Sequence, residues 1–366
     1  MAETPRYFPR ARLAELIGLI RHAGFRMIGP RVDQGALVYR EIENAEELPQ
    51  GLGDEQAPGR YRLVPNGTQR HFSWANGANA IRPFVFAPRE RLWRVDRDAS
   101  GTHFRPLMSI TPRTAILGAR ACDLAALQIS DAHFLRNAYP DPYYRIRRDS
   151  LLLIAVNCSH AAPTCFCAST GDGPEVLRGY DLLLDELDDG YLVRSGSPSG
   201  DELLLKFPTI EANDAQLATV REQLESCRNQ QRALPSQGKL AQLMERLDHP
   251  AWDKVAETCL ACGNCTAVCP TCFCHREVES PSLDGKSSEH RRDWDSCFNE
   301  DHSYLVGELV RPDIRTRYRQ WMTHKLATWQ EQYGRSGCVG CGRCMTWCPV
   351  AIDFVAQANT ILEDSE

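Results

Sequence analysis

The sequence predicts an α+β chain, with a mixed α/β domain over residues 1–235 followed by an alpha-helical domain over 236–366. Three observations lead there. Short apolar runs separated by turn residues fill residues 26–120, the texture of strands. From about residue 213 the apolar residues recur at helical spacing instead. Sixteen cysteines stand in the chain, six of them within residues 259–274 and four within 338–348.

Taken in order, residues 1–25 read as one helix, amphipathic in Leu13, Leu16, Ile17 and Ile20. MIGP, ALVYREI, RYRLV, FVFAP and RLWRV then read as strands. TAILGARACDLAALQI (114–129) reads as a strand, a tight turn at Gly118, and a helix. LLLIAV (151–156) is a buried strand by its continuous apolar run, and Cys158 follows it. YDLLLDELDDGYLVRSG (180–196) is a hairpin that turns at Asp188, Asp189 and Gly190. Leu217, Val220, Leu224 and Cys227 form one apolar helical stripe, which makes Cys227 a core thiol rather than a ligand. LPSQGK (234–239) marks the boundary. Beyond it, Tyr318, Met322, Leu326, Trp329 and Tyr333, with Trp321 beside them, form a core-facing helix ended by Gly334 and Gly337.

Composition narrows the function classes. With 366 residues the chain is long enough for two or three cores. A net charge of −6 offers no electrostatic footprint for nucleic acid. The longest uncharged apolar stretch, LLLIAVNC (151–158), is too short to span a bilayer. MAETPRYFPRARLAELIGLIRHAG has no secretory signal pattern. The expectation is a soluble, cytoplasmic protein, and in a reducing compartment dense cysteine means metal rather than disulfide.

Cys259, Cys262, Cys265, Cys269 and Pro270 fit C-x2-C-x2-C-x3-C-P, and Cys338, Cys341, Cys344, Cys348 and Pro349 fit it again. Three cysteines at this spacing curl the backbone around three corners of an iron–sulfur cubane. The fourth reaches the other cluster. The expected ligands are therefore crossed: Cys259, Cys262, Cys265 and Cys348 for cluster 1, and Cys338, Cys341, Cys344 and Cys269 for cluster 2. A zinc ribbon would need two CxxC pairs on a longer loop. The connector between the runs holds a long helix, so the C-terminal domain resembles the alpha-helical ferredoxin-like dicluster modules of respiratory and heterodisulfide-reductase-type subunits. Arg335 and Arg343 either offset cluster charge or lie solvated at the surface.

PTCFC recurs upstream, with Cys165 and Cys167. Cys158 and Cys122 lie at the ends of two expected strands, and such ends gather at one edge of an α/β sheet. Cys122, Cys158, Cys165 and Cys167 would thus make a third [4Fe-4S] cluster; two buried thiol pairs, or zinc, are the alternatives. Cys272, Cys274 and Cys297 stay unassigned. His275, His290 or Asp295 could complete a site with them, or the three thiols could line the cluster pocket.

These motifs together resemble a known family. GxRACDLAAL (118–127), DPYYRIRR (141–148), CFCASTGDGP (165–174), CxxCGNCTxVCPTCFC (259–274), WDSC (294–297) and CVGCGRCxxxCP (338–349) are similar to the beta subunit of cytosolic sulfhydrogenases, which are NAD(P)-linked [NiFe]-hydrogenases. They are similar also to the A subunit of anaerobic sulfite reductase. Residues 31–63 match the family's N-terminal region more loosely. The resemblance implies an electron-transfer subunit with [4Fe-4S] clusters. It would bind a flavin-binding NAD(P)H-type subunit and either the [NiFe]-hydrogenase small and large subunits or a sirohaem sulfite reductase subunit.

No catalytic constellation competes. The paired CxxC motifs of a [NiFe] pocket are missing, no GxGxxG follows a strand, and STGDGP (169–174) lacks the strand–turn–helix context. No Ser/His/Asp set stands out among the ten histidines. A relay is therefore expected over a self-contained enzyme. An iron–sulfur sensor or structural protein is the alternative class, and two adjacent clusters favour transfer because a sensor needs only one.

Overall fold

The computed structural model describes residues 4–79, 81–108 and 110–363. Its centre is an eight-stranded sheet. In spatial order the strands are Ile210–Glu211, Arg6–Pro9, Gly190–Ser195, Leu182–Glu186, Leu151–Val156, Thr114–Ala119, Arg26–Asp33 and Ala36–Glu41. Four of them run parallel, from Arg26–Asp33 through Thr114–Ala119 and Leu151–Val156 to Leu182–Glu186. Parallel strands are covered on both faces, which explains the unbroken apolar runs. On one face Ala115, Leu117, Leu152 and Ile154 pack against Leu13, Leu16 and Ile17 of the helix Leu13–His22. On the other, Ile116, Leu153 and Ala155 pack against Leu124 and Leu127 of the crossover helix Ala121–Leu135. Each such leucine or isoleucine side chain, taken out of water, contributes about 1.5–3 kcal/mol.

Three expectations are corrected. FVFAP (84–88) is not a strand: its start belongs to the short helix Arg82–Val85, with Pro83 in the first turn. Residues 1–25 are not one helix: Arg6–Pro9 is a strand, paired antiparallel with Gly190–Ser195, and the α-helix starts only at Leu13. Pro5 and Pro9 disfavour helix there, and the strand instead buries Phe8 in the core. Gly118 is not at the turn either. It lies within its strand at a register shift, with φ of 94°, and its carbonyl accepts a hydrogen bond from Tyr39 Oη at 2.7 Å.

A second, antiparallel sheet joins the two halves of the chain. Its order is His275–Pro281, Ser287–Trp294, Arg89–Asp98, Gly101–Pro106. Its inner strands meet across the boundary expected at 234–239 and are tied by the buried pair Arg292–Glu90 at 2.6 Å. The last part is helical around a separate core of Trp252, Tyr318, Trp321, Met322, Phe354 and Ile361. The helix between the cysteine runs is interrupted: Ile314–Thr323 passes through a π-helical turn, His324–Thr328, into Trp329–Tyr333. The class is α+β with a helical C-terminal part, as expected.

Candidate iron–sulfur centre

The two cysteine runs adopt the same conformation. The helix Ala251–Thr258 ends at Cys259; Ala261 (φ 49°) and Gly263 (φ 71°) then take left-handed conformations before the short helix Asn264–Ala267. In the second run Gly340 (φ 64°) and Gly342 (φ 75°) do the same before Arg343–Thr346. These reversals wrap each run around a point and turn amides toward sulfur. The Ala261 N–H donates to Cys259 Sγ, the Gly340 N–H to Cys338 Sγ and the Ile352 N–H to Cys348 Sγ, each at 3.4 Å.

The runs also interlock. Cys259, Cys262, Cys265 and Cys348 line one cavity together with Cys344, walled by Phe298, Tyr318 and Trp321. Burial pushes the thiols of Cys338, Cys341 and Cys344 up, and the negative charge of Cys269 beside them adds to it. Thiols of both runs thus meet in each place. Among the described residues, no three His, Cys, Asp or Glu side chains converge closely enough to hold a single metal ion. A cubane keeps its four thiolates farther apart than a single ion does, and its iron supplies the positive charge that buried thiolates otherwise lack. Four-thiol sets, amide donors to sulfur and left-handed corners fit that group.

The upstream cysteines converge as well. Cys122 stands in the first turn of its helix, Cys158 just beyond Leu151–Val156, and Cys165 and Cys167 on the following loop. All four line one cavity at the carboxyl ends of the parallel strands, and Cys341 of the second run lines it too. Asn76 Nδ2 donates to Cys122 Sγ at 3.2 Å and Gln230 Nε2 to Cys167 Sγ at 3.3 Å. Burial pushes the Cys167 thiol up to about 12. The fully buried Arg120 holds the strand ends together, donating to the carbonyls of Asn157, Phe72 and Trp74 at 2.9, 2.6 and 3.0 Å. Cys227 is buried on the stripe with Val220 and Leu224, as expected.

The second run presses on this loop. The Phe166 N–H donates to Gly340 O at 2.9 Å. A Cβ on Gly342 would lie 2.3 Å from Thr164 O, and one on Gly340 2.4 Å from Cys167 Cα. Only glycine permits backbones that close.

Of three buried charged residues here, Lys325 and Arg82 had no clear sequence signal, and Arg343 was open between offsetting cluster charge and lying solvated. Arg343 is not solvated: it is fully buried, 2.8 Å from Asp123, with its charge acting on both Cys341 and Cys122. Lys325 enters the core from the π-helical turn and donates to Thr271 Oγ1 at 2.8 Å, Cys272 Sγ at 3.5 Å and Cys269 Sγ at 3.7 Å. A lone lysine inside an aromatic stripe was the only trace of it. Arg82 donates to the carbonyls of Thr266, Cys269, Ala267 and Cys272 at 2.8–3.1 Å, pinning the turn after the first run. Arg335 is paired with Asp172 at 2.6 Å. Two of the histidines weighed for the unassigned thiols pack against aromatic rings. His290 stacks on Trp93 with ring centroids 3.6 Å apart, and His275 lies edge-on to Phe86.

A family model described as a 4Fe-4S dicluster domain matches residues 258–352. The sulfhydrogenase 2 subunit beta of Pyrococcus furiosus is 30% identical over 293 residues, 77% of this chain and 82% of that protein. The chain belongs to the sulfhydrogenase beta-subunit family. No solved structure matches it. As a member of this family it carries [4Fe-4S] clusters in its dicluster domain, and these supply one-electron transfer when bound. No helix among the described residues is long and apolar enough to cross a membrane.

Proposed function

We propose that the chain is the electron-relay subunit of a cytoplasmic, sulfhydrogenase-type [NiFe]-hydrogenase complex. It connects a flavin-binding NAD(P)H-type subunit with the hydrogenase small and large subunits. Cluster 1 is held by Cys259, Cys262, Cys265 and Cys348, cluster 2 by Cys338, Cys341, Cys344 and Cys269, and a third by Cys122, Cys158, Cys165 and Cys167. One observation carries the reading: Cys341 belongs to the second run and also lines the cavity of the upstream cysteines. Cys344 of the same run lines the cavity of the first set, so the three thiol sets adjoin, from the exposed Cys262 at one end to the sheet edge at the other. A relay needs such closely spaced sites, and a sensor does not. The protein's own part is to exclude water from the thiols and to hold amide, Asn, Gln, Lys and Arg donors against them.

Anaerobic purification of the native complex tests the assignment. The chain should copurify with a flavoprotein and a hydrogenase pair. Alone, it should accept electrons from a strong artificial reductant while neither evolving hydrogen nor oxidising NAD(P)H. Turnover of hydrogen or NAD(P)H by the isolated chain would end the relay reading. Copurification with a sirohaem protein would replace the hydrogenase branch with the sulfite-reductase one.

A further inference from the structure

Buried cations stand against the second thiol set and not against the first. Lys325 lies on the π-helical turn His324–Thr328, a kind of short irregularity that clusters at functional sites. The turn is tied to the start of the second run, where the Gly337 N–H donates to Lys325 O at 2.7 Å. The side chain is buried. Its ammonium donates to Thr271 Oγ1 at 2.8 Å, and that hydroxyl donates to Gly337 O at 2.7 Å. Held in this way, the ammonium lies 3.7 Å from Cys269 Sγ. The Cys272 thiol, hydrogen-bonded to Cys269, adds a second donor to the same sulfur. Arg343 is the other cation, and its charge acts on Cys341. Its Nη2 is bonded to Asp123 and Asn76 and its Nε to Gly77 O, but the buried Nη1 has no partner among the described residues. An orphaned donor in a dry interior is costly, and sulfur at the Cys341 site is the acceptor it lacks. The cavity of the first set differs. Among the described residues its lining is thiol, aromatic and aliphatic, with Asn264 and no charged side chain.

We propose that Lys325, with Arg343, makes the site of Cys338, Cys341, Cys344 and Cys269 the higher-potential of the two dicluster sites, so that an electron entering this domain comes to rest there. The proposal rests on the ligand assignment above and adds a direction to the relay. Reduction adds one negative charge to a cluster and breaks no bond. A fixed positive charge beside the ligand sulfur stabilises the reduced form, and hydrogen bonds to that sulfur act in the same sense. Burial strengthens the effect, because the interior screens charge less than water does. The ammonium is a positioning group: it reaches the reacting centre only through Cys269.

The test is a redox titration of the iron-loaded, full-length chain followed by electron paramagnetic resonance. Cys269→Ala identifies which signal belongs to the second run. In the parent that signal should have the higher midpoint potential. Lys325→Met keeps the length of the side chain and removes its charge. It should retain iron and lower that one midpoint, leaving the other in place. A lysine with a merely structural role would alter iron content or melting without moving a midpoint. If Lys325→Met fails to load iron, Lys325→Gln, which keeps a donor for Thr271, carries the same measurement. Equal midpoints in the parent, or both midpoints unmoved in the charge-free variant, would overturn the proposal. Loss of the first run's signal in Cys269→Ala is a separate result: it strikes the ligand assignment, whatever Lys325 does.

Discussion

Asp123 and Arg343 form an ion pair at 2.8 Å in which neither side chain reaches solvent. One comes from the crossover helix of the large sheet, the other from inside the second cysteine run. The guanidinium also donates to Asn76 Oδ1 and Gly77 O, both at 3.1 Å. This contact locks the helical part onto the sheet. The guanidinium charge also acts on the thiols of both Cys341 and Cys122.

Asp123→Asn should be strongly destabilising, because it leaves a buried guanidinium without its counter-charge. Removing one partner of such a pair costs about 3–5 kcal/mol. Denaturant unfolding of the cluster-loaded chain measures it. The double variant Asp123→Leu/Arg343→Met should lose much less than the sum of the two single changes. Additive losses would mean that the pair is not coupled.

Cys269→Ala should damage the cluster of the second run and spare that of the first. Cys269 follows the first run in sequence but lies among Cys338, Cys341 and Cys344 in space. Electron paramagnetic resonance of the reduced variant separates the two signals. A lesion confined to the Cys259 run would show that ligation is not crossed.

Cys165→Ser combined with Cys167→Ser should remove about four irons per chain and leave both dicluster signals in place. Iron analysis together with the same spectra reads the result. An unaltered iron count would remove the third cluster.

His133 supplies a pH dependence. Its ring stacks on Phe273 with centroids 3.6 Å apart, and its Nδ1 lies 2.7 Å from Tyr333 Oη. Burial, then the neighbouring His275, holds it down at about 4 rather than the usual 6.5. Below about pH 6.5 the unfolded chain takes up a proton that the folded chain refuses, so stability falls as pH drops toward about 4. Melting curves of the parent and of His133→Gln across that window should differ in slope, with the variant flatter. Parallel curves would exclude His133 as the source.

Much of the molecule is legible in its local patterns. Period-two and continuous apolar runs identify the strands of the large sheet, and a stripe of Val220, Leu224 and Cys227 identifies a helix and a core thiol. The repeated C-x2-C-x2-C-x3-C-P identifies the dicluster domain, because ligand spacing along the chain is itself the geometry of a cubane corner. Strand ends in an α/β sheet also anticipate that Cys122 and Cys158 approach the PTCFC loop.

Other features depend on partners far away in sequence. Tyr7 and Phe8 become a strand because Gly190–Ser195 offers them an edge to pair with. The small sheet forms because Ser287–Trp294 meets Arg89–Asp98. His302 is fixed by Asp295, whose Oδ2 lies 3.0 Å from its Nδ1. Arg343 reads as a surface residue until Asp123 neutralises it in the core, and Lys325 enters the interior through a π-helical turn that no residue pattern announces. The sequence by itself determined the element types and the cluster-binding spacing, since both follow from short-range backbone geometry. Tertiary structure alone decided which charges are buried and which thiols share a site, since a buried charge is tolerated only where a distant residue supplies its partner.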